Sequence, residues 1–321
     1  MKIKKLIIAI TGVALVFASC KKEEQIVNPK INPGIKNNIS QLFKTNEDLL
    51  TQSFIVDASS YQYITTPTGA SLTFAPNSFT TKSGQAVTGN VTIKLIEIYD
   101  KASMVLLNKP TNGKMSNGKI STLISAGEMK VTAHQAGQEL KLKSGSTFSV
   151  RVPSSITGGY DAGMQLFDGE INNQDLVWEK VADTVRPKAD TLGGFSYSWP
   201  DSSFGWTNID KFISDPRPKT TIHVTVPAGY DKSNCAIFLA YKGENGLASF
   251  DVYDNATKKF TEHYGQIPIG LEVHFIFITE DNGQIKSEIH STTIVANHVE
   301  AITNPQIISK SQLTTDILAL P

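Results

Sequence analysis

Histidine, cysteine and carboxylate side chains are the groups in this 321-residue chain that could bind a metal ion or transfer protons. Metal sites need several such ligands at converging positions, which sequences often show as spacings such as His-x-x-x-His or Cys-x-x-Cys. Neither spacing occurs in this sequence. Its six histidines are His134, His223, His263, His274, His290 and His298. His223 and His274 fall at the polar positions of predicted strands, where cross-strand polar contacts are the expected role. The sequence therefore predicts no metal centre.

Catalytic motifs are also missing from the sequence. It contains no Gly-x-Ser-x-Gly nucleophile elbow, no phosphate-binding Walker loop and no dinucleotide fingerprint. Neighbouring acids, such as Glu280 with Asp281 and Asp251 with Asp254, stand in turn contexts, where acids are common for conformational reasons. Cys235 lies in an apolar run and is expected to pack as a small hydrophobic side chain. We therefore expect neither an enzyme nor a cofactor.

Three tryptophans, Trp178, Trp199 and Trp206, are candidate glycan-contact aromatics, because an aromatic platform can hold a sugar ring. No polar cluster is visible around them in the sequence, although a binding site usually combines both features. Tryptophans also plug the cores and domain seams of β-sandwiches, and this alternative stays open.

The N-terminus has the three-part order of an export signal. Three lysines at positions 2, 4 and 5 precede an apolar run over 6–17, which is too short to cross about 30 Å of hydrocarbon as a helix. The sequence Phe17-Ala18-Ser19-Cys20 resembles a bacterial lipobox. That resemblance implies a signal peptide over 1–19 and lipidation of Cys20, whereas the alternative is a plain secretory signal that happens to contain a cysteine.

The net charge predicts that the exported chain is mildly acidic. The whole chain has 30 basic and 30 acidic side chains, and removal of residues 1–19 takes away three lysines and no acid. A nucleic-acid binder needs clustered cations, so we expect no nucleic-acid partner. The stretch Lys21-Lys22-Glu23-Glu24 resembles the tags that direct Bacteroidota lipoproteins to the outer face of the outer membrane, although a solvated tether is an alternative. Residues 25–38, with two prolines, are typical of such a tether.

Alternating apolar and polar residues predict that most of the chain is β-structure. In the strand predicted over 86–95, Val87, Val91, Ile93 and Leu95 share one face. Further strands follow at the spacing typical of a sandwich, with turns at Asn112-Gly113 and Asn117-Gly118, and Pro153 ends the strand over 147–152. Residues 38–54 have the apolar spacing of a short helix.

A second β-region is predicted from residue 218 onwards. Residues 235–241 are apolar on both faces, as in a central strand. The turn Asp281-Asn282-Gly283 between two alternating runs is the strongest hairpin signal. Ser309 and Ser311 precede apolar residues at helical spacing, which indicates a capped C-terminal helix.

Several residues of the first region together resemble a β-sandwich module that recurs in Bacteroidota lipoproteins and, more distantly, the ZU-five domain of ankyrins and netrin receptors. They are Gly69, Leu72, Phe74, Pro76, Gly84, the strand over 87–91, Ser125-Ala126-Gly127-Glu128 and the strand ending at Pro153. The stretch 204–210 resembles a Gly-Trp-Asn-Asp signature that follows this module. The resemblance implies the fold, and a second sandwich often follows in eukaryotic relatives.

Two further expectations depend on these resemblances. Some ZU-five proteins cut their own chain at His-Phe-Ser, but Gly194-Phe195-Ser196 lacks the histidine that would assist, and strand residues are the alternative. The triplets at 183–185 and 190–192 resemble the O-glycosylation sequon of exported Bacteroidota proteins, which makes Thr184 and Thr191 candidate modification sites.

We expect a mostly β protein with two antiparallel β-sandwich domains in tandem, a short N-terminal helix and a C-terminal helix. The expected segments are the signal peptide 1–19, lipidated tether and short helix 20–58, ZU-five-like sandwich with an appended hairpin 59–199, hinge 200–217 and second sandwich 218–321. The expected function is that of a lipid-anchored outer-membrane protein at the cell surface that binds a protein or glycan without catalysis. The alternatives are a structural subunit of an envelope assembly and a self-processing protein.

Overall fold

The computed structural model describes residues 39–321 except 173–174, 182–184, 190–193 and 263, and it gives no side-chain placement for 172 and 187–189. The described residues belong to one compact unit. The described part contains three α-helices, which are α1 Ile39–Leu50, α2 Lys101–Leu107 and α3 Lys310–Leu318. No helix in the described part of the chain is both long and apolar enough to cross a bilayer.

The first β-region contains fifteen strands within the described residues, and one 3₁₀ turn at Ser154–Ile156. The strands are β1 Gln52–Asp57, β2 Gln62–Thr65, β3 Ser71–Phe74, β4 Phe79–Thr80, β5 Asn90–Ile98, β6 Asn112–Lys114, β7 Ile120–Gln135, β8 Gln138–Glu139, β9 Lys141–Leu142, β10 Phe148–Pro153, β11 Gln165–Asn172, β12 Asp175–Lys180, β13 Arg186–Ala189, β14 Phe195–Asp201 and β15 Gly205–Phe212.

The second β-region contains eleven strands within the described residues. They are β16 Lys219–Thr220, β17 His223–Thr225, β18 Cys235–Tyr241, β19 Leu247–Ser249, β20 Val252–Asp254, β21 Lys259–Thr261, β22 Ile267–Pro268, β23 Glu272–Asp281, β24 Gln284–Thr293, β25 Val299–Ala301 and β26 Gln306–Ile307.

The first sandwich packs a large sheet of order β1-β5-β7-β15-β11-β12-β6 against a smaller sheet of order β13-β14-β10-β3-β2. Strand β8 pairs with β7 at the rim of the large sheet. Val91, Ile93 and Leu95 of β5 point into the core between the sheets, so the predicted inward face is confirmed. Burial of these alternating side chains fixes the register, because a shift by one residue would move them all into water.

The second sandwich packs the sheet β19-β18-β23-β24-β26 against the sheet β20-β21-β17-β25 around a separate core. Strand β18 lies between β19 and β23 with nearly every residue buried, as predicted for a central strand. The predicted hairpin is confirmed, because β23 and β24 pair in register up to Asp281↔Gln284. Asn282 and Gly283 have φ of 53° and 79°, the left-handed values that a two-residue turn of this kind requires.

A third core lies between the outer face of the large sheet, the outer face of β18 and β23, and the three helices. Helix α2 begins after Asp100, whose side chain accepts a hydrogen bond from the Ser103 amide, and ends at Asn108 in the left-handed conformation. Helix α3 begins after Ser309, whose hydroxyl accepts from the Gln312 amide, as predicted from the sequence. Together these elements make the architecture mostly β, with a short helix at each end of the described chain.

The structure differs from the sequence-based prediction in four places. The alternating pattern predicts two strands over 120–125 and 129–134, but residues 120–135 form one long strand. Asn112-Gly113 belongs to strand β6 instead of a turn. Helix α2 was not predicted, because its residues are apolar on nearly every side and show no helical period. Within the expected hinge, residues 205–212 form β15, an interior strand of the large sheet. The expected domain boundaries remain a prediction.

Candidate functional site

Two sequence motifs, Ser125–Glu128 and Phe204–Asp210, lie side by side in the large sheet. Strand β15 pairs antiparallel with β7, so that Asn208 is opposite Glu128. A bulge between Ile209 and Asp210 shifts the register and brings Asp210 opposite Ser125. Because side chains alternate along a strand, Ile209 faces the core of the first sandwich while Glu128 and Asn208 face the third core.

We call the side chains of Ser125, Glu128, Asn208 and Asp210 the acid cluster. Both acids are completely buried. The Asn208 amide donates to Asp210 Oδ2 over 2.6 Å, and the Ser125 hydroxyl donates to Asn208 Oδ1 over 2.9 Å. Within the described residues, both carboxyl oxygens of Glu128 and Oδ1 of Asp210 have no hydrogen-bond partner. A buried polar group without a partner costs stability, so this cluster is held in place by the structure around it.

Burial raises the pKa of both carboxyls well above its usual range, and the neighbouring Asp210 charge adds to the effect on Glu128. The physical cause is the loss of hydration, which penalises the ionised form. Burial therefore favours the neutral, protonated form of both acids more than water does. With no exposure to solvent, the acid cluster can exchange protons only when the surrounding structure opens.

The side chains of Glu47, Lys109, Lys130 and Trp206 contact one another and form a wall next to the acid cluster. Glu47 Oε1 of α1 pairs with Lys130 Nζ at 2.5 Å, and its Oε2 lies 3.9 Å from Lys109 Nζ. The two ammonium groups lie 5.2 Å (Lys109) and 5.5 Å (Lys130) from the ring centre of Trp206, within cation–π range. Burial lowers the pKa of Lys109, against the opposing charges of Glu47 and Glu128.

Beyond this wall the same face of the large sheet is open. A groove of about 620 Å³ runs over strands β1, β5 and β7, and we call it the outer groove. Its floor is the row Ser53, Lys94 and Thr132, which are register partners on three adjacent strands, together with His134. Cross-strand partners of this kind have Cβ atoms about 5 Å apart. The floor therefore presents an ammonium group between two hydroxyl groups.

The carboxylates that line the outer groove all have lysine partners. Glu47 pairs with Lys130 at 2.5 Å, Asp48 with Lys44 at 2.9 Å and Glu139 with Lys82 at 2.7 Å. Lys94, in contrast, is exposed and makes no ion pair with any described residue. The uncompensated charge of the outer groove is therefore positive and lies in the middle of its floor.

His134 lies at one end of the floor, where Nε2 is 3.0 Å from Thr132 Oγ1. Partial burial lowers the pKa of this imidazole, and the charge of Lys94 lowers it further. A second cation therefore becomes available in the outer groove only at acidic pH.

The three candidate glycan-contact tryptophans are all buried. Trp178 is 0% exposed, Trp199 2% and Trp206 5%. Trp178 and Trp206 pack edge to face in the third core, and the Trp178 indole donates to the Pro110 carbonyl over 2.9 Å. Trp199 belongs to the core of the first sandwich. Because stacking on a sugar needs an exposed ring face, these positions fit the core-and-seam alternative instead of a surface platform.

The remaining reactive side chains serve packing and cross-strand contacts. Cys235 is buried in β18, and this burial raises the pKa of its thiol. His274 is buried rather than half-exposed, and its Nδ1 lies 2.7 Å from the hydroxyl of its cross-strand partner Ser291. Within the described part of the chain, no group of three or more His, Cys, Asp or Glu side chains is arranged to hold a metal ion.

The second sandwich contains a chain of polar contacts that was not predicted from the sequence. His290 Nε2 lies 2.6 Å from Glu288 Oε1, and His290 Nδ1 lies 3.1 Å from Glu300 Oε1. His298 Nε2 lies 3.3 Å from Glu300 Oε2. Glu288 with His290, and His298 with Glu300, have the i, i+2 spacing that puts side chains on one face of a strand. This spacing is the signal that could have found these two pairs.

Several predicted sites fall outside the described residues. They are the lipidation site Cys20 and the candidate O-glycosylation sites Thr184 and Thr191. Ser196, the serine of the Gly194-Phe195-Ser196 stretch, is buried in β14, where its hydroxyl accepts a hydrogen bond from Arg151 Nε over 3.0 Å.

Comparisons with known proteins add little to this description. No protein-family model matches the chain, and no curated protein matches it. Among solved structures, the chain is similar to the Gamma-CGTASE from Alkalophilic bacillus clarkii, with a TM-score of 0.19 and 10% sequence identity. The match covers 77% of this chain and 41% of that chain, so the chain spans less than half of its length. A TM-score this low carries no argument about fold or function.

Proposed function

We propose that this chain is a lipid-anchored outer-membrane protein of the cell surface that acts as a non-catalytic binding module and takes its ligand in the outer groove. The observation that carries the proposal is that one face of the large sheet has a covered part and an open part. Helices α1 and α2 seal the part that holds the acid cluster, whereas the part over β1, β5 and β7 stays open and polar.

The floor of the outer groove is suited to binding because strands position it. Ser53, Lys94 and Thr132 are fixed by backbone pairing on three strands, and the opposite face of those strands is packed in a core. A site on rigid elements loses little conformational entropy when a ligand binds. The sequence supplies the other part of the proposal, since lipidation at Cys20 and the polar stretch behind it would display the module on a tether.

The test uses the full-length lipidated protein in membrane vesicles, applied to a glycan array and to solubilised envelope fractions. Ser53→Tyr would fill the open end of the outer groove, and Thr147→Tyr places the same ring at an exposed position before β10. We expect at least tenfold weaker binding of the selected ligand for Ser53→Tyr alone. Equal binding by both variants and the unaltered protein would show that the outer groove is not the site.

The location is tested separately by protease shaving of intact cells. Release of peptides from residues 218–321, while a periplasmic marker stays intact, is expected for a surface protein. Complete protection of those residues would contradict the surface location and would place the protein on the periplasmic face.

The structural-subunit alternative is favoured by a different observation. Strand β1 is the edge of the large sheet and β2 the edge of the smaller one. Three apolar side chains near these edges are strongly exposed, Ile55 by 73%, Tyr61 by 69% and Tyr63 by 64%. Exposed edges with apolar side chains are suited to pairing with another chain. Co-purification of a fixed partner after mild solubilisation, and its loss on Ile55→Lys, would favour this alternative.

The self-processing alternative predicts a covalent change that mass spectrometry can detect. Cleavage before Ser196 would give two fragments, and Ser196→Ala would then restore the intact chain. An intact mass equal to that of the uncut lipidated chain would remove this alternative.

A further inference from the structure

We infer that the outer groove binds an acidic polysaccharide, with a carboxylate or sulfate group of the sugar at Lys94 and sugar hydroxyls at Ser53 and Thr132. This inference rests on the proposed binding function and adds the class of ligand to it.

The first step is charge. Each carboxylate that lines the groove is already paired with a lysine, so a cationic ligand would have to compete with these ion pairs. Lys94 has no such partner among the described residues, and an anionic group placed there would gain a charge-assisted hydrogen bond without breaking another. The electrostatic complement of the groove is therefore an anion.

The second step is the chemistry around that cation. Ser53 and Thr132 flank Lys94 with hydroxyl groups, which can both donate and accept hydrogen bonds. A ligand that carries hydroxyls beside its acidic group can use both properties, and acidic sugars combine these groups. The groove has one uncompensated cation instead of the clustered cations that a nucleic acid needs.

The third step concerns the apolar side chains in the lining of the outer groove. Ile96 is the one aliphatic side chain that lines the groove, and it is only 3% exposed. Protein interfaces usually depend on aromatic or aliphatic anchors buried at their centre. The described lining provides no such pocket, so a polar ligand fits it better than a protein surface does.

The fourth step is shape. The row Ser53, Lys94 and Thr132 crosses three adjacent strands, so it spans two strand spacings or about 10 Å. The floor is a flat sheet surface and the groove is open to solvent. An extended chain of sugars can lie along such a floor and contact it with more than one ring.

The test measures binding by isothermal titration calorimetry with the full-length protein in detergent. The acidic probes are a galacturonate hexamer and a chondroitin 4-sulfate hexasaccharide. Maltohexaose is the uncharged sugar, and a poly-glutamate peptide is the acid that is not a sugar. We expect at least one acidic sugar to bind about tenfold or more tightly than maltohexaose and poly-glutamate, since one well-placed ion pair of about 1.4 kcal/mol corresponds to that factor.

The matched variants are Lys94→Ala and Lys119→Ala. Both lysines are exposed, but Lys119 lies in the β6–β7 connection, away from the groove lining. We expect Lys94→Ala to weaken binding of the acidic sugar about tenfold and Lys119→Ala to leave it unchanged. Unaltered melting temperatures would confirm that both variants fold.

The other outcomes separate this inference from the proposed function. Equal binding of poly-glutamate and acidic sugars would reduce the effect to charge alone and overturn the inference. Tight binding of maltohexaose that Lys94→Ala does not change would overturn the acidic class but leave a binding groove in place. Binding that Ser53→Tyr does not weaken would remove the groove, and with it both proposals.

Discussion

The acid cluster, on β7 and β15, and the outer groove, on β1, β5 and β7, lie on the same face of the large sheet, yet their side chains have opposite environments. Glu128 of β7 is fully buried, whereas Lys94 on the neighbouring strand β5 is exposed. The difference is that helices cover the sheet over the acid cluster and leave it open over the outer groove. Helices α1 and α2 pack over Ile96 and Ile98 of β5, and α1 ends at Leu50 before it reaches the row of Lys94.

This comparison indicates how the molecule divides stability and binding. Apolar side chains under the helices connect the two sandwiches through the third core. Hydrated groups beyond Glu47 and Lys130 remain free to exchange water for a ligand. Four predictions test the division, and they are arranged from the largest expected effect to the smallest.

The largest effect should come from Trp206, which packs in the third core between two lysines. Trp206→Ala should lower the free energy of unfolding by about 3–5 kcal/mol, because it leaves a large cavity in a closed seam. In the outer groove, Ser53→Ala should change it by less than about 0.5 kcal/mol. Chemical denaturation measures both. A loss below about 1 kcal/mol for Trp206→Ala would show that the seam does not stabilise the fold.

The second prediction concerns pH and the acid cluster. The pKa of Glu128 is raised on folding, so the folded state holds a proton that the unfolded chain releases above pH 4.5. The contribution of Glu128 to the free energy of unfolding should therefore be greatest below that pH and decrease as the pH rises toward the folded-state pKa. The slope should reach about 1.4 kcal/mol per pH unit for each such carboxyl.

Glu128→Gln cannot ionise, so this variant should lose part of that slope and become more stable relative to the unaltered protein as the pH rises. Glu170→Gln, at an exposed position of β11, is the matched control and should leave the slope unchanged. Urea denaturation between pH 4 and pH 8 measures these differences. Parallel curves for Glu128→Gln and the unaltered protein would contradict the raised pKa.

The third prediction concerns a variant that weakens the wall between the acid cluster and the outer groove. Glu47→Gln removes the charge that pairs with Lys130 and faces Lys109. We expect a loss of about 1–2 kcal/mol, which is typical of a partly buried charged hydrogen bond. Hydrogen exchange should become faster at the amides of β7 and β15 around Glu128. Exchange that accelerates across the whole chain instead would mean global destabilisation and no local opening.

Local sequence patterns predicted those elements whose signals lie within a few residues. The alternation of Val91, Ile93 and Leu95 predicted the inward face of β5, and Asn282-Gly283 predicted the turn of the second hairpin. Ser309 predicted the start of α3. In each case the same few residues that carry the pattern also make the contacts.

The sites depended on contacts that no local pattern encodes. Glu128 and Asn208 are 80 residues apart, and their pairing follows from the register of β7 with β15. Likewise, Lys94 belongs to a strand whose wet face was predicted, but its neighbours in the groove come from β1 and β7. The groove exists because α1 ends where it does, and that end is decided by packing in the third core.

The smallest expected effect lies within the outer groove and tests its electrostatics without a ligand. Lys94→Ala should leave the free energy of unfolding within about 0.5 kcal/mol of its original value, because the side chain is exposed and unpaired with any described carboxylate. It should raise the pKa of His134, since the charge of Lys94 adds to burial in lowering it. Nuclear magnetic resonance titration of the His134 ring measures this change, and Lys119→Ala should leave it as it was. A His134 pKa that stays constant in both variants would mean that Lys94 does not act on the groove floor, and the anion-binding role inferred for it would lose its electrostatic basis.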